Sequence, residues 1–431
     1  MTKTVYIRTF GCQMNVHDSE KMLGILWEDG YLEADDPREA DLIIFNTCSI
    51  RHKAEQKFYT QLGRTKFLKR KRPEMKIAVA GCIAQHEGEN IFRKAPHVDF
   101  VFGPQNIHML KDLVSGMTAP VAIEDNSEIA MRELPVKRDD RVKAWITIMY
   151  GCNNFCSYCI VPYTRGRERS RPSENIYSEV TELADKGYKE ITLLGQNVNS
   201  YMSDTDFPGL LRRLDRVGGL ERIRFVTSHP RDLSAGLITA MSELPKVCEH
   251  IHLPLQSGSS NILRLMNRGY SYEDYIRKVS MLRKKIPGIS ITSDIIAGFP
   301  CETEDDHMLT IKALKEIEFD GIFAFKFSPR PGTKAAVMEG YLPEEIKSER
   351  LTEVLKVQEE ITTIKNRLLE GTIQEILIEG ESKTNKERLT GRTRTNKIVN
   401  IPKIEIKKGA LIYVEITKGR QHSLEGRPVK E

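Results

Sequence analysis

Short apolar runs separated by helix-length stretches recur along most of the chain, and this alternation limits the fold more than any other feature. The first set is Val5–Phe10, Leu42–Phe45, Ile77–Ala80 and Val98–Phe102. The second is Ile146–Tyr150, Glu190–Leu194, Ile223–Val226, His250–Leu255, Ile289–Ala297 and Ile322–Phe327. Stretches such as Ser173–Lys186 and Glu302–Ile317 are long enough for a helix between strands. Strands alternating with helices build parallel sheets, so the class is α/β. Residues 1–115 read as a doubly wound parallel-sheet domain, and 116–143, which lack periodicity, as a linker. Residues 144–370 hold six β/α units; an eightfold barrel takes ~250 residues, so an open partial (β/α)6 barrel is predicted. A helix bearing Leu351, Val354, Leu355, Ile361, Ile364 and Leu368 at helical spacing ends that domain before Gly371. Residues 371–431 carry the short β-branched runs Ile373–Ile378, Lys397–Ile401 and Leu411–Ile416, which suit a small all-β barrel of the oligonucleotide-binding kind.

Two classes of protein are set aside early. No apolar run reaches the length of a membrane span, and Met1–Phe10 is strand-like rather than a secretory leader. A cytoplasmic monomer with no membrane partner is expected. The net charge of +5 is unevenly placed: residues 381–431 hold thirteen Lys and Arg against six Asp and Glu. That excess points to a polyanion partner, although a solvated basic surface would look the same.

Eight cysteines in a reducing compartment need an explanation other than disulfides. Cys152, Cys156 and Cys159 form C-x3-C-x2-C directly after the run Ile146–Tyr150. Zinc sites usually draw on two close ligand pairs, and no fourth Cys or His follows Cys159 closely. Three thiolates would hold three irons of a 4Fe–4S cube and leave one iron open to chelate S-adenosylmethionine, whose reductive cleavage gives a 5′-deoxyadenosyl radical. Tyr158, between two of the ligands, could pack on the adenine or simply fill core. Cys12, Cys48 and Cys82 each end a predicted strand of the first domain, and in a parallel sheet such ends share one edge. They suit a second cluster able to hold a sulfur ligand. Cys248 and Cys301 have no such company and read as incidental thiols.

These motifs resemble a known family. Y-G-C-N-N-F-C-S-Y-C-I-V-P-Y-T-R-G-R-E-R-S-R (Tyr150 to Arg171) is similar to the radical motif of the radical-SAM tRNA methylthiotransferases of the MiaB type. T-F-G-C-Q-M-N, N-T-C-S-I-R and A-G-C-I-A-Q resemble the family's three N-terminal cysteine motifs, and G-R-T-R-T-N (Gly391 to Asn396) resembles part of its C-terminal TRAM domain. His86 stands where the family more often has Arg. The resemblance implies two 4Fe–4S clusters, held by Cys152, Cys156 and Cys159 and by Cys12, Cys48 and Cys82. It implies methylthiolation at carbon 2 of isopentenyladenosine beside the anticodon of tRNA. S-adenosylmethionine would serve both as methyl donor and as radical source. Siblings act on threonylcarbamoyl-adenosine or on a ribosomal protein, and a non-catalytic iron–sulfur RNA-binding regulator is the alternative from another class. A flavodoxin- or ferredoxin-type electron donor and a sulfur source are implied partners. Strand-end segments should border the cofactor: Gly195, Gln196 and Asn197; Gln256; Ser293 and Asp294; and Arg330, with Tyr158 beside them. No residue is singled out for proton transfer.

Two basic clusters complete the reading. Arg165, Arg167, Arg169 and Arg171 alternate after the radical motif and suit phosphate contacts or clamping of a carboxylate. Lys66, Lys69, Arg70, Lys71 and Arg72 could meet tRNA or solvate a helix end. Arg392 and Arg394 of the tail are expected on its RNA face.

Overall fold

The computed structural model describes residues 2–49 and 52–429. Ile50 and Arg51 of the second cysteine motif, and the last two residues of the basic tail, lie outside them. The first domain is a six-stranded, wholly parallel sheet. Its strands are β1 (Thr4–Thr9), β2 (Leu32–Glu33), β3 (Leu42–Thr47), β4 (Lys76–Gly81), β5 (Phe100–Phe102) and β6 (Val121–Ala122), in the order β2-β1-β3-β4-β5-β6. The central β3 is buried at every position, as a strand covered on both faces must be. Helices α1 (Gln13–Glu28), α2 (His52–Lys71) and α3 (Cys82–Glu87) follow β1, β3 and β4. The short edge strands β2 and β6 have no apolar run to announce them. β6 lies inside the stretch read as a linker, where Ile129 and Ala130 also pack on Tyr150.

The second domain is the open six-strand arrangement that the periodicity predicts. β7 (Lys143–Thr147) bends at Ile148 into β8 (Met149–Tyr150), which turns aside to pair with β9 (Arg169–Ser170). β10 (Glu190–Leu194) and β11 (Arg222–Phe225) run parallel to β7 in the order β11-β10-β7. β12 (His250–His252), β13 (Ser290–Ala297) and β14 (Gly321–Lys326) form the other parallel half. A parallel bridge from Ile223 to Val247 joins the halves. One apolar core runs through all six units. The helix Glu344–Arg367 covers β13 and β14 with Val354, Val357 and Ile361, but Leu355, Ile364 and Leu368 of the expected stripe are exposed. Among the described residues, no helix is long and apolar enough to cross a membrane.

The tail closes into a five-stranded barrel of β15 (Ile373–Glu381), β16 (Arg388–Thr393), β17 (Ile398–Pro402), β18 (Leu411–Gly419) and β19 (Leu424–Pro428), around Ile376, Ile378, Val399, Val414 and Ile416. It docks on the N-terminal ends of the β/α strands, and arginines make the joint. Arg222, fully buried, donates to the Arg392 carbonyl and to Glu375 at 2.6 and 2.7 Å. Arg224 pairs with Glu190 at 2.8 Å and donates to the carbonyls of Thr393 and Arg394. Arg394 grips both oxygens of Glu249, and Arg392 is held by Glu379 at 3.0 Å. Of the two arginines expected on the RNA face, Arg394 therefore pairs across the domain joint and Arg392 pairs within the tail barrel.

Removing the Arg222 side chain deletes these bonds and strands the acceptors. Arg222→Ala is expected to cost about 2–3 kcal/mol and to release the tail barrel as a separately cleaved unit. Urea unfolding with limited proteolysis checks this; an unchanged, single transition would contradict it.

Candidate active site

The C-terminal edges of the two parallel sheets face each other, and every cysteine of the two triplets sits there. Cys12, Cys48 and Cys82 follow β1, β3 and β4 directly. Gly11, at φ +129°, lets the first turn close on the second: a Cβ there would lie 2.6 Å from that of Cys48. Gly81, at φ +88°, passes so near Thr47 that a Cβ would fall 2.4 Å from its carbonyl oxygen. Polar side chains lock the edge. Asn15 donates to Asn46 Oδ1 and the Thr47 carbonyl at 3.2 and 3.1 Å, and Asn46 donates back to the Asn15 carbonyl at 2.7 Å. Cys48 and Cys82 are buried and Cys12 is half-buried.

The other triplet sits in the loop between β8 and β9. The Cys159 amide donates to the Cys156 carbonyl at 2.9 Å, which folds the pair into a tight turn. Burial, with Cys156 nearby, pushes the Cys152 thiol up to about 11. Burial again, then Cys156 and Cys152, pushes Cys159 up to about 12. Like-charged thiolates sharing one loop cannot all ionise without added positive charge, and a metal cluster would provide it. One cation is built in. Arg268, buried, donates to Cys156 Sγ at 3.2 Å, to the Tyr158 hydroxyl at 3.3 Å and to the Pro254 carbonyl at 3.1 Å.

The strand-end residues fall into two groups. Gln196, after β10, has both amide atoms enclosed without a partner, and so does Asn197 Oδ1, while Asn197 Nδ2 donates to Asp232 at 2.7 Å. Gly195 lets this turn pass Met149, whose Cγ would lie 2.4 Å from an added Cβ. Ser228 Oγ and His229 Nε2, after β11, are likewise enclosed, and none of these atoms has a partner among the described residues. Burial, then Arg268, Arg231 and Lys278, presses His229 down to about 2, so its ring is neutral. Its Nδ1 accepts from the Arg231 amide at 3.2 Å, which leaves the proton on Nε2. Polar atoms held unpaired at strand ends are what a polar cofactor would satisfy.

The remaining expected residues have these neighbours. Gln256, at φ +75°, bridges backbone to β13. The Ser293 hydroxyl accepts from the Leu255 amide at 2.8 Å on the helix-facing side of β13, whereas Asp294 faces the interior. Tyr158 packs with Phe299 and Phe327. Arg330 reaches across to Glu55 of α2 at 3.3 Å, near Cys48.

The alternating arginines bind the protein's own carboxylates. Arg165, in the loop after the radical motif, meets Asp18 of α1 at 2.8 Å with both side chains almost wholly buried. Burial opposes its charge, but Asp18, Cys82 and Cys12 outweigh it and raise its pKa well above the ordinary value. Arg169 pairs with Asp125 at 2.6 Å, and Arg171 with Glu179 at 2.8 Å. Arg167 stacks on Phe155. Lys21 of α1, also buried, donates to the Tyr150 hydroxyl at 3.1 Å. In the other basic cluster Lys69 pairs with Asp99 and Arg72 with Asp41. Asp18, Lys21, His229 and Arg268 escape sequence reasoning, since none sits in a recognisable spacing.

An open six-strand parallel barrel with three cysteines over its first strand defines a radical SAM enzyme, a class that uses a 4Fe–4S cluster and S-adenosylmethionine. Residues 146–314 match the Radical SAM superfamily, residues 4–103 the uncharacterized protein family UPF0004, and residues 367–429 the TRAM domain. The chain is 57% identical over 426 residues to the tRNA-2-methylthio-N(6)-dimethylallyladenosine synthase of Thermodesulfovibrio yellowstonii, covering 98% of each chain. It is 50% identical to that of Syntrophus aciditrophicus, covering 100% of this chain and 95% of the relative. Among solved structures, the radical S-adenosylmethionine methyltransferase TsrM from Kitasatospora setae shares the fold at a TM-score of 0.59 and 14% identity, over 78% of this chain and 75% of TsrM. The chain belongs to the family of tRNA-2-methylthio-N(6)-dimethylallyladenosine synthases.

Asp18→Ala would leave Arg165 charged, buried and unpaired at the domain joint. A loss of about 3–5 kcal/mol is expected, with partial recovery in the Asp18→Ala/Arg165→Met double variant. Urea titrations of the metal-free protein test it, and equal stability of single variant and wild type would refute it.

Proposed function

We propose that the chain adds a methylthio group to carbon 2 of N6-isopentenyladenosine beside the anticodon of tRNA, and that it does so with two 4Fe–4S clusters. The observation that carries this is the opposition of two cysteine triplets across one domain joint. Cys152, Cys156 and Cys159 would hold the radical cluster, and Cys12, Cys48 and Cys82 the auxiliary one. Bound at the first triplet, the cluster and S-adenosylmethionine supply one-electron cleavage of the sulfonium to a carbon radical.

The chain's own residues do the rest by placement. Arg268 offsets negative charge at the Cys156 sulfur. The Gln196 amide, Asn197 Oδ1, Ser228 and the His229 Nε2–H supply unpaired donors and acceptors around the strand ends. The Asp18–Arg165 and Lys21–Tyr150 contacts would hold the auxiliary triplet against the radical triplet. Cys12, Cys48 and Cys82 would hold the cluster that supplies sulfur. An external sulfur source and a flavodoxin- or ferredoxin-type reductant complete the set, and the TRAM barrel adds RNA affinity.

The anaerobically reconstituted protein should hold about eight irons as two cubes. Replacing Cys152, Cys156 and Cys159 by Ala should remove about half of the iron and all formation of 5′-deoxyadenosine. Replacing Cys12, Cys48 and Cys82 should remove the other half and abolish thiolation, while 5′-deoxyadenosine still forms. Iron analysis with mass spectrometry of tRNA nucleosides reads both. Methylthio product from the second variant would refute the auxiliary assignment.

A further inference from the structure

The inner face of the last barrel strand carries an aromatic side chain that the fold leaves bare. In β14, Ile322 and Ala324 pack outward against the helix layer. Phe323, between them, points into the open barrel with 56% of its surface exposed. A large apolar ring on an inward face is costly to leave in water, and β14 is the sheet edge, with no further strand to cover it. Parallel register sets Asp294 beside Phe323 and Thr292 beside His252, so all four share the interior face. The His252 ring meets Phe323 edge-on, with centroids 6.1 Å apart and planes at 69°.

A polar chain runs up the same face. His250 Nε2 lies 3.3 Å from Thr292 Oγ1, and Thr292 Oγ1 lies 3.0 Å from His252 Nδ1. His252 Nε2 is 3.5 Å from Asp294 Oδ1. With His250 buried and neutral, these contacts link His250, Thr292, His252 and Asp294 in one continuous run. The chain ends on a partly exposed acceptor next to an exposed ring.

We propose that Phe323 and Asp294 form the seat of the target nucleoside, Phe323 stacking on the prenylated adenine and Asp294 accepting its N6–H. This rests on the reading given under Proposed function. The chemistry of the occupant fits the pair. An N6-alkylated adenosine keeps a single N6–H, which needs an acceptor, and carries a branched apolar chain that gains from an aromatic wall. Aromatic stacking on a base is indifferent to base identity, so the contact of Phe323 with the branched chain selects the prenylated form, while Asp294 accepts an N6–H that both forms of the base keep. His252 is a positioning residue that fixes Asp294. Asp294 is thereby assigned to the substrate rather than to S-adenosylmethionine, while Gln196, Asn197 and His229 stay with the cofactor.

The test uses the full-length reconstituted protein and two anticodon stem–loops, one with N6-isopentenyladenosine and one with plain adenosine beside the anticodon. Fluorescence anisotropy gives the affinity ratio. The wild type should prefer the prenylated RNA. Phe323→Ala should shrink that preference roughly tenfold, Phe323→Tyr should keep most of it, and Asp294→Ala should weaken both RNAs. S-adenosylmethionine affinity, by equilibrium dialysis, is read on the same variants. An unchanged ratio in Phe323→Ala would overturn the assignment. So would unchanged RNA affinities in Asp294→Ala, above all with a loss of S-adenosylmethionine affinity in that variant. If the wild type shows no preference and makes no methylthio product, the functional reading itself fails; a preference that survives Phe323→Ala sinks only this seat.

Discussion

The ion pair between Asp18 and Arg165 is the contact on which the site depends. It joins the first helix of one domain to the loop behind the radical motif of the next, with both side chains almost wholly buried. Burying two charges gains little or nothing over an apolar contact, so stability does not explain it. Position does. Arg165 lies in the field of the Cys12 and Cys82 sulfurs, where a triplet of thiolates would otherwise concentrate negative charge in a dry joint. Asp18 fixes the guanidinium's orientation without cancelling its reach. One arginine can thus align two domains and offset charge at cysteines that belong to only one of them.

Arg268 plays the corresponding part on the other side. It is buried, touches the Cys156 sulfur, and is braced by Pro254 and Tyr270. Each triplet therefore has a guanidinium beside it, and each guanidinium comes from a different segment than the cysteines it serves. Arginine suits this duty because it stays protonated when buried and its fixed fork can bind a sulfur and a carbonyl together.

Much of the architecture is legible in the sequence because strand periodicity is local. The apolar runs locate β1, β3, β4, β5 and the six barrel strands, and cysteines placed just past those runs must share an edge in a parallel sheet. What escapes is set by pairing at a distance. β2 and β6 are two residues each and exist because a neighbouring edge accepts them. The bend at Ile148 is invisible because the apolar pattern runs on through it. The cluster-side residues Asp18 and Arg268 look like ordinary surface charges until the fold buries them. Ser293 and Asp294 are adjacent in sequence and face opposite sides of β13, so one strand-end segment divides between structure and site.

The basic tail shows how charge counting misleads. Its local excess of Lys and Arg suggests a phosphate-binding face, yet much of that charge is spent inside the protein. Arg392, Arg394, Lys397 and Lys408 pair with Glu379, Glu249, Asp320 and Asp140. Three of those acids belong to the tail's neighbours and lie outside it, so the tail's surplus is in part the complement of a deficit in the barrel beneath. Arg222 and Arg224 extend the joint from the barrel's side, by donating to tail carbonyls. Charge free to meet RNA is left on exposed residues such as Lys383, Lys386, Lys407 and Lys418, for which no carboxylate partner is found among the described residues. Lys383, Lys386 and Lys407 lie in loops between the barrel strands and Lys418 within β18, all outside the G-R-T-R-T-N segment.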